Sequence, residues 1–211
     1  MKKSKTGHTQ IILLFPLSTV LLPGEELSIH VFEEKSIAMA NHCKSSKKGF
    51  GVVFVKDGSE TSGQKVPCDV GTMAEIIKIE QLPDQSLYLM ASGIKRFRII
   101  NLDYSQQYLS AKITWLPDED HRLVRNEIKS KVSRLFLDYV QYLKALNPDL
   151  KIKPEISDPL KISYQIVHAL PITAEQKQVL LELNSVEERL QREIEVLRRF
   201  IPSKKMPDYL S

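Results

Sequence analysis

Cysteine is scarce. Cys43 and Cys68 are the only two in 211 residues, and neither sits in a C-x-x-C pair, which argues against a disulfide framework or a zinc knuckle. A reducing, cytoplasmic setting is the simplest expectation. The neighbours His42 and Cys43 suggest a metal site, but adjacent helical side chains diverge by about 100° and no second ligand pair accompanies them. An excess of one charge is missing too: 30 Lys and Arg against 26 Asp and Glu leave a net +4, part of it in the opening MKKSKTGH. A dedicated nucleic-acid binder concentrates basic residues on one face or interleaves them with aromatics, so nucleic acid is disfavoured as a partner. No long hydrophobic run is present. IILLFPLSTVLL is broken by Pro16, Ser18 and Thr19, is followed by no small-x-small cleavage site, and falls short of the roughly 20 residues that span a bilayer. A secretory signal and a membrane segment are therefore not expected.

Catalytic motifs are also lacking. GSETSGQK, Gly58 to Lys65, imitates a phosphate-binding loop, but Gln64 takes the lysine position, Val66 stands where a magnesium-binding hydroxyl belongs, and Pro67 opens a strand. The helix whose N-terminus must face the phosphate is thus missing, and a polar loop is the simpler reading. The histidines His8, His30, His42, His121 and His168 are scattered, with no H-E-x-x-H or G-x-S-x-G beside them. His168, late in a helix, suits a favourable contact with the helix dipole better than base catalysis. No catalytic, cofactor-binding or metal-binding residue is assigned, no cofactor is expected, and the chain is expected not to be an enzyme.

What is present divides into two halves with different periods. From Ile11 to about Trp115 short β-branched or alternating runs are punctuated by Gly and Pro, the pattern of strands. Ile11–Leu14 and Leu27–Val31 flank a turn at Leu22-Pro23-Gly24-Glu25, and Phe50–Val55 reads as a buried strand. Gly71–Ile79 and Leu87–Ser92 flank Leu82-Pro83-Asp84-Gln85, a hairpin turn. A bulge or bend is expected at Gly93, followed by Lys95–Ile100 with one wet and one dry face and then by Tyr108–Trp115. One helix, Glu34–Lys44, interrupts this set, with Ile37, Met39, Ala40 and Cys43 available to pack.

From Asp118 the period becomes helical. Val124, Ile128, Val132, Leu135, Tyr139, Leu143 and Leu146 form an amphipathic stripe that ends at Asn147-Pro148. The next helix opens at Ser157 or Asp158, with Pro159 in its first turn, and ends near Leu170-Pro171. Thr173 with Gln176, and Ser185 with Glu188, predict two capping boxes. The alternating charges from Glu187 to Arg199 read as a solvated face, beside a thin stripe of Val186, Leu190, Ile194 and Leu197. The expected organisation is a flexible basic tail (1–10), a β subdomain (11–116), an α-helical subdomain of about four helices (117–201) and a C-terminal tail (202–211).

The order of motifs FPLSTVLLPGEELSIHVFEEKS, VGTMAEI, LPDQSLYLMASGIKRFRI and DPLKISYQIVHALPITAEQKQVLLELNSVEERLQREIEVL resembles the amino-terminal substrate-recognition domain of Lon, the ATP-dependent protease, from about residue 11 to 201. Pro16, Leu17, Val20 and Pro23 hold the places of the family's opening P-L-R-x-x-V-x-x-P, with Ser18 where Arg is usual. Val70-Gly71-Thr72, Leu82-Pro83-Asp84, Gly93, Arg96, Asp158-Pro159 and Asn184 to Leu190 fall likewise in the family's order. The resemblance implies an α+β protein: a PUA-like β pseudo-barrel with one helix, then a helical bundle. In full-length Lon the last helix leads to an ATPase and a Ser-Lys peptidase. The resemblance therefore leads us to expect a stand-alone recognition domain that binds unfolded or partly folded polypeptides, as an adaptor for a separate protease or chaperone or as a weak holdase. The candidate contacts are Leu21, Leu22, Pro23 and Phe32. The competing reading packs Leu21 and Leu22 beneath the barrel rim as core. A cleft between the two halves is a further candidate, with no residue assigned to it. The alternative function is RNA binding, since PUA-like barrels elsewhere contact RNA; it requires Lys95, Arg96, Arg98 and Lys112 to form one basic surface. The oligomeric state is left open.

Overall fold

The computed structural model describes residues 9–56, 60–61, 64–118 and 123–201. His8, His121, the expected C-terminal tail and all of the expected basic tail except Thr9 and Gln10 lie outside the described residues, as does much of GSETSGQK. The elements run β1 (Thr9–Leu17), β2 (Glu26–Val31), α1 (Glu34–Ser46), β3 (Phe50–Phe54), β4 (Glu60–Thr61), β5 (Gln64–Lys65), β6 (Val70–Gln81), β7 (Leu87–Asp103), β8 (Ser110–Trp115), α2 (Asn126–Leu146), α3 (Pro159–Ala169), α4 (Ala174–Glu182) and α5 (Val186–Phe200). The chain is α+β, as its two periods imply.

Two compact units result. The first comprises the residues up to Pro117 together with Pro171–Asn184; the second comprises Asp118–Leu170 and the residues from Ser185 onward. The sequence grouped α4 with the helical subdomain 117–201, but α4 belongs to the β unit.

In the first unit the six-stranded sheet has the order β2-β7-β6-β3-β1-β8, and β7 also pairs with β8, which closes the sheet into a ring with β2 outside it. The strand β7 makes this closure possible. The sequence suggests two strands around Gly93, but β7 is continuous. Its first part, Leu87–Ser92, pairs with β2, and its last part, Phe97–Asp103, pairs with β8. A strand can change partners this way only by bending, and the register shows where. Ala74 faces Gly93 while Met73 faces Lys95, so Ile94 is an extra residue; Ile77 on β6 and Ile100 on β7 are extra by the same reasoning. Such bulges bend a strand and increase its twist.

Leu82-Pro83-Asp84-Gln85 forms the β6–β7 hairpin. The Gln85 amide donates to the Leu82 carbonyl and the Asp84 carboxylate accepts from the Ser86 amide and hydroxyl. Those two bonds hold the Asp84 carboxyl below its ordinary range. Inside the ring Ile12, Leu14, Val53, Phe97, Ala111 and Ile113 form one core. A second core lies under α1, where Met39, Ala40 and Cys43 meet Phe15, Phe50, Val52, Leu87 and Leu89.

In the second unit α2, α3 and α5 pack together. The stripe on α2 is turned from its expected setting: Val132, Phe136, Tyr139 and Val140 are buried, whereas Leu146 is exposed. Asp158 caps α3 through the amides of Leu160 and Lys161, with Pro159 in the first turn. The capping box Thr173/Gln176 opens α4, and the Ser185 hydroxyl accepts from the Glu188 amide at the start of α5.

Candidate functional site

The loop Val20–Glu25 is built into the core. Leu21 and Leu22 are each 1% exposed, so as the chain is folded they are core residues and not surface contacts. Pro23 and Gly24 occupy the middle of a tight turn, with Gly24 at a φ of +81° and the Glu25 amide donating to the Leu22 carbonyl; positive φ at the third turn position favours glycine. The Glu25 carboxylate accepts from the Leu22 amide at 2.9 Å, and the Thr72 hydroxyl donates to the Leu21 carbonyl at 2.7 Å. Gly93 then receives the loop: it exchanges backbone bonds with Gly24 and Glu25, and a Cβ on it would collide with the Leu22 carbonyl. The apolar side chains enter the core because the backbone is held on both sides. Pro23 is half-buried. Phe32, beyond the end of β2, is 71% exposed, its ring against His30 at 6.2 Å. Of the four candidate contacts only Phe32 presents a large apolar side chain to solvent.

The proposed basic face is interrupted. Arg96 was expected on the wet side of β7, and it does point away from the ring core, but α4 covers that side. Arg96 is 1% exposed and donates to the carbonyls of Leu181 and Leu183, both at 2.7 Å, and of Pro117 at 3.0 Å. It is thus a cationic cap on the C-terminal end of α4. Lys95 lies over the Trp115 ring, 3.6 Å from its centre. Arg98 and Lys112 are exposed.

A constellation resembling a catalytic centre occurs in the second unit. Arg189 and Glu193 on α5, expected on a solvated face, are both fully buried. The Arg189 Nε donates to the Ser163 hydroxyl at 2.7 Å, which donates to Glu193 at 2.6 Å. Arg189 also pairs with Asp118 at 3.2 Å and lies over the Tyr164 ring. Burial pushes the Glu193 carboxyl up to about 8, against the opposing pull of Arg189 and Ser163. A serine and a glutamate in this arrangement have no path to a substrate, and their role is structural. Among the described residues no group of His, Cys, Asp and Glu is placed to hold a metal ion, and no helix is long and apolar enough to cross a membrane.

One groove among the described residues was missed by sequence reasoning. An open groove of about 570 Å³ runs between the C-terminal end of α1 and the middle of β6, lined by Cys43, Lys44, Lys47, Lys48 and Gly49 on one side and Glu75, Ile76, Ile77, Lys78 and Ile79 on the other. Successive strand residues point to opposite faces, so a lining of consecutive β6 residues means that the strand's edge opens into the groove. The pairing agrees: β3 ends its ladder with β6 at Phe50↔Ala74, while β6 continues beside β7 to Gln81. Ile77 is 51% exposed. The only sequence signals for this site are the KSSKKG run at the C-terminal end of α1 and the isoleucines of β6, and neither reveals that β3 stops short.

The comparisons with known proteins agree with this fold. The family model described as the ATP-dependent protease La (LON) substrate-binding domain matches residues 11–199. The Lon protease of Escherichia coli K12 is 28% identical over 195 residues, which is 90% of this chain and 25% of that protein. The Lon protease of Parabacteroides distasonis is 28% identical over 201 residues, covering 92% of this chain and 24% of its own. The chain thus spans about a quarter of the length of these relatives. Among solved structures, a Lon N-terminal domain protein from Xanthomonas campestris superposes with a TM-score of 0.67 at 24% identity, over 92% of this chain and 99% of that one. The N-terminal domain of Mycobacterium avium complex Lon protease gives 0.69 at 18% identity, over 90% and 98%. With matched residues running from β1 to the last turn of α5, this chain belongs to the Lon substrate-binding domain family.

Proposed function

We propose that the chain recognises polypeptides, binding unfolded or partly folded segments, and that it acts through binding alone, as an adaptor for a separate protease or chaperone or as a weak holdase. The observation that carries this reading is the family match, which runs through both units and is to a domain described by substrate binding. The physical corollary is that a protein without a nucleotide-driven step can only shift populations toward the conformations it prefers. Support comes from an exposed Phe32 and from a groove that combines isoleucines with lysines. RNA binding loses support, because Arg96 spends its charge on carbonyls inside the first unit.

The test is a titration of the purified chain with a reduced, permanently unfolded protein and with its native form, with and without ATP. Binding at least tenfold tighter to the unfolded form, unchanged by nucleotide, is expected. Cleavage of casein or hydrolysis of ATP by the purified chain overturns the reading. Retention of RNA alone, falling steeply with salt, favours the nucleic-acid alternative.

A further inference from the structure

We infer that the β6 edge from Glu75 to Gln81 takes up an extended client segment as an added strand, and that the groove beside it selects segments in which apolar residues are mixed with acidic ones. The inference rests on the polypeptide-recognition reading and gives it a location.

Four observations converge. First, β6 outruns β3. Its last β3 partner is opposite Ala74, and among the described residues β7 is its ladder neighbour from Glu75 onward. A strand with one side unpaired offers amide and carbonyl groups to any extended chain, which is how peptides are taken up by strand addition. Second, the groove lies along that edge and not on a sheet face, with Ile76, Ile77 and Ile79 supplying apolar contacts. Third, the far wall carries Lys44, Lys47 and Lys48 against Glu75 as the acidic residue in the lining, while Lys78 on the strand itself is already paired with Glu80 at 2.7 Å. That excess of positive charge suits carboxylates. It also opposes a second copy of this chain, since edge-to-edge pairing would bring the two lysine sets together.

Fourth, Lys47 ends α1 in the left-handed conformation, with a φ of 52°, its amide and that of Lys48 bonding back to the carbonyls of Lys44 and Cys43. Helix ends of this geometry favour glycine, because a Cβ is strained there. Lys47 therefore sets its charge beside the groove at a position where glycine would be the less strained residue. The Ile77 bulge interrupts the edge, so an added strand can pair without a break over only a few residues. Such a site suits short, reversible contacts with many clients and resists runaway sheet growth.

The experiment uses the full chain and labelled ten-residue peptides: one alternating valine and aspartate, one alternating valine and lysine, and the valine–aspartate peptide N-methylated at alternate residues to remove backbone donors. Expected is binding of the valine–aspartate peptide, at least tenfold weaker binding of the other two, and slowed amide exchange on its addition within residues 75–81. The variant K44E/K47E/K48E alters exposed residues and is expected to stay folded, melting modestly below the parent because glutamates at the end of α1 oppose the helix dipole, to lose the valine–aspartate peptide at least tenfold and to gain the valine–lysine one. K47G is expected to raise the melting temperature while weakening the peptide. The inference is overturned if the triple variant binds the valine–aspartate peptide as the parent does, if exchange slows elsewhere (around Phe32, for example), or if the edge is occupied by a second copy or by single-stranded nucleic acid. An unfolded protein that still binds the triple variant with parental affinity sinks this location and leaves the broader function standing; an unfolded protein that binds neither form removes both.

Discussion

The chemistry of single residues is clearest where charge is buried. Arg189 carries its positive charge in the interior of the second unit with Asp118 and Ser163 as partners, while Glu193, fully buried, keeps its proton up to about pH 8. The folded state therefore holds a proton that the unfolded chain releases in the ordinary carboxylate range. Stability from this group is complete below that range, falls as pH rises from it toward about 8, and falls no further above. Glu193→Gln, a neutral isostere, is expected to stay within about 1 kcal/mol of the parent near neutral pH and to flatten this decline, read as denaturant midpoints from pH 5 to 9. Arg189→Met removes one partner of a buried pair and is expected to cost about 3–5 kcal/mol. At Gly93, where a Cβ would meet the Leu22 carbonyl, Gly93→Val forces the Val20–Glu25 loop to move, at about 1–3 kcal/mol in the same measurement.

Among the elements, α4 shows how much a helix's place depends on one side chain. Its capping box was legible as Thr173 followed three residues on by Gln176, because a cap is a local hydrogen-bond pattern. Its location was not, because Arg96 and the carbonyls of Leu181 and Leu183 are remote in sequence and nothing local links them. Gln178 adds a bond from α4 to the Val70 carbonyl at 3.0 Å. Replacing Arg96 with Met leaves three carbonyls without their donor and is expected to cost about 3 kcal/mol. Amide exchange in Ala174–Glu182 should accelerate more than exchange in α5. Arg96→Lys is expected to recover only part of the loss, since an ammonium cannot reproduce the guanidinium's divided reach. Equal acceleration throughout the chain would contradict a local anchoring role. The strands tell a similar story: the hairpin turn and the bend near Gly93 are written in turn residues, whereas the bulges at Ile77, Ile94 and Ile100 appear only once register is known.

At the scale of the molecule, the change of period near Pro117 marks where the β elements end, but the β unit also takes Pro171–Asn184. A fragment of residues 9–117 is accordingly expected to melt well below one in which 171–184 is appended through a flexible Gly/Ser linker, as followed by circular dichroism. Equal melting temperatures would show that the first 117 residues suffice. The sequence by itself determined the α+β class, most of the elements and their caps, the turns and the family, because each depends on periodicity, turn chemistry or motif order along the chain. Tertiary structure alone decided that Leu21, Leu22, Arg96, Arg189 and Glu193 are interior, and that β6 leaves an edge beside the α1 lysines. Burial and edge exposure depend on what packs against a residue from far along the chain, and a one-dimensional pattern does not contain that neighbour.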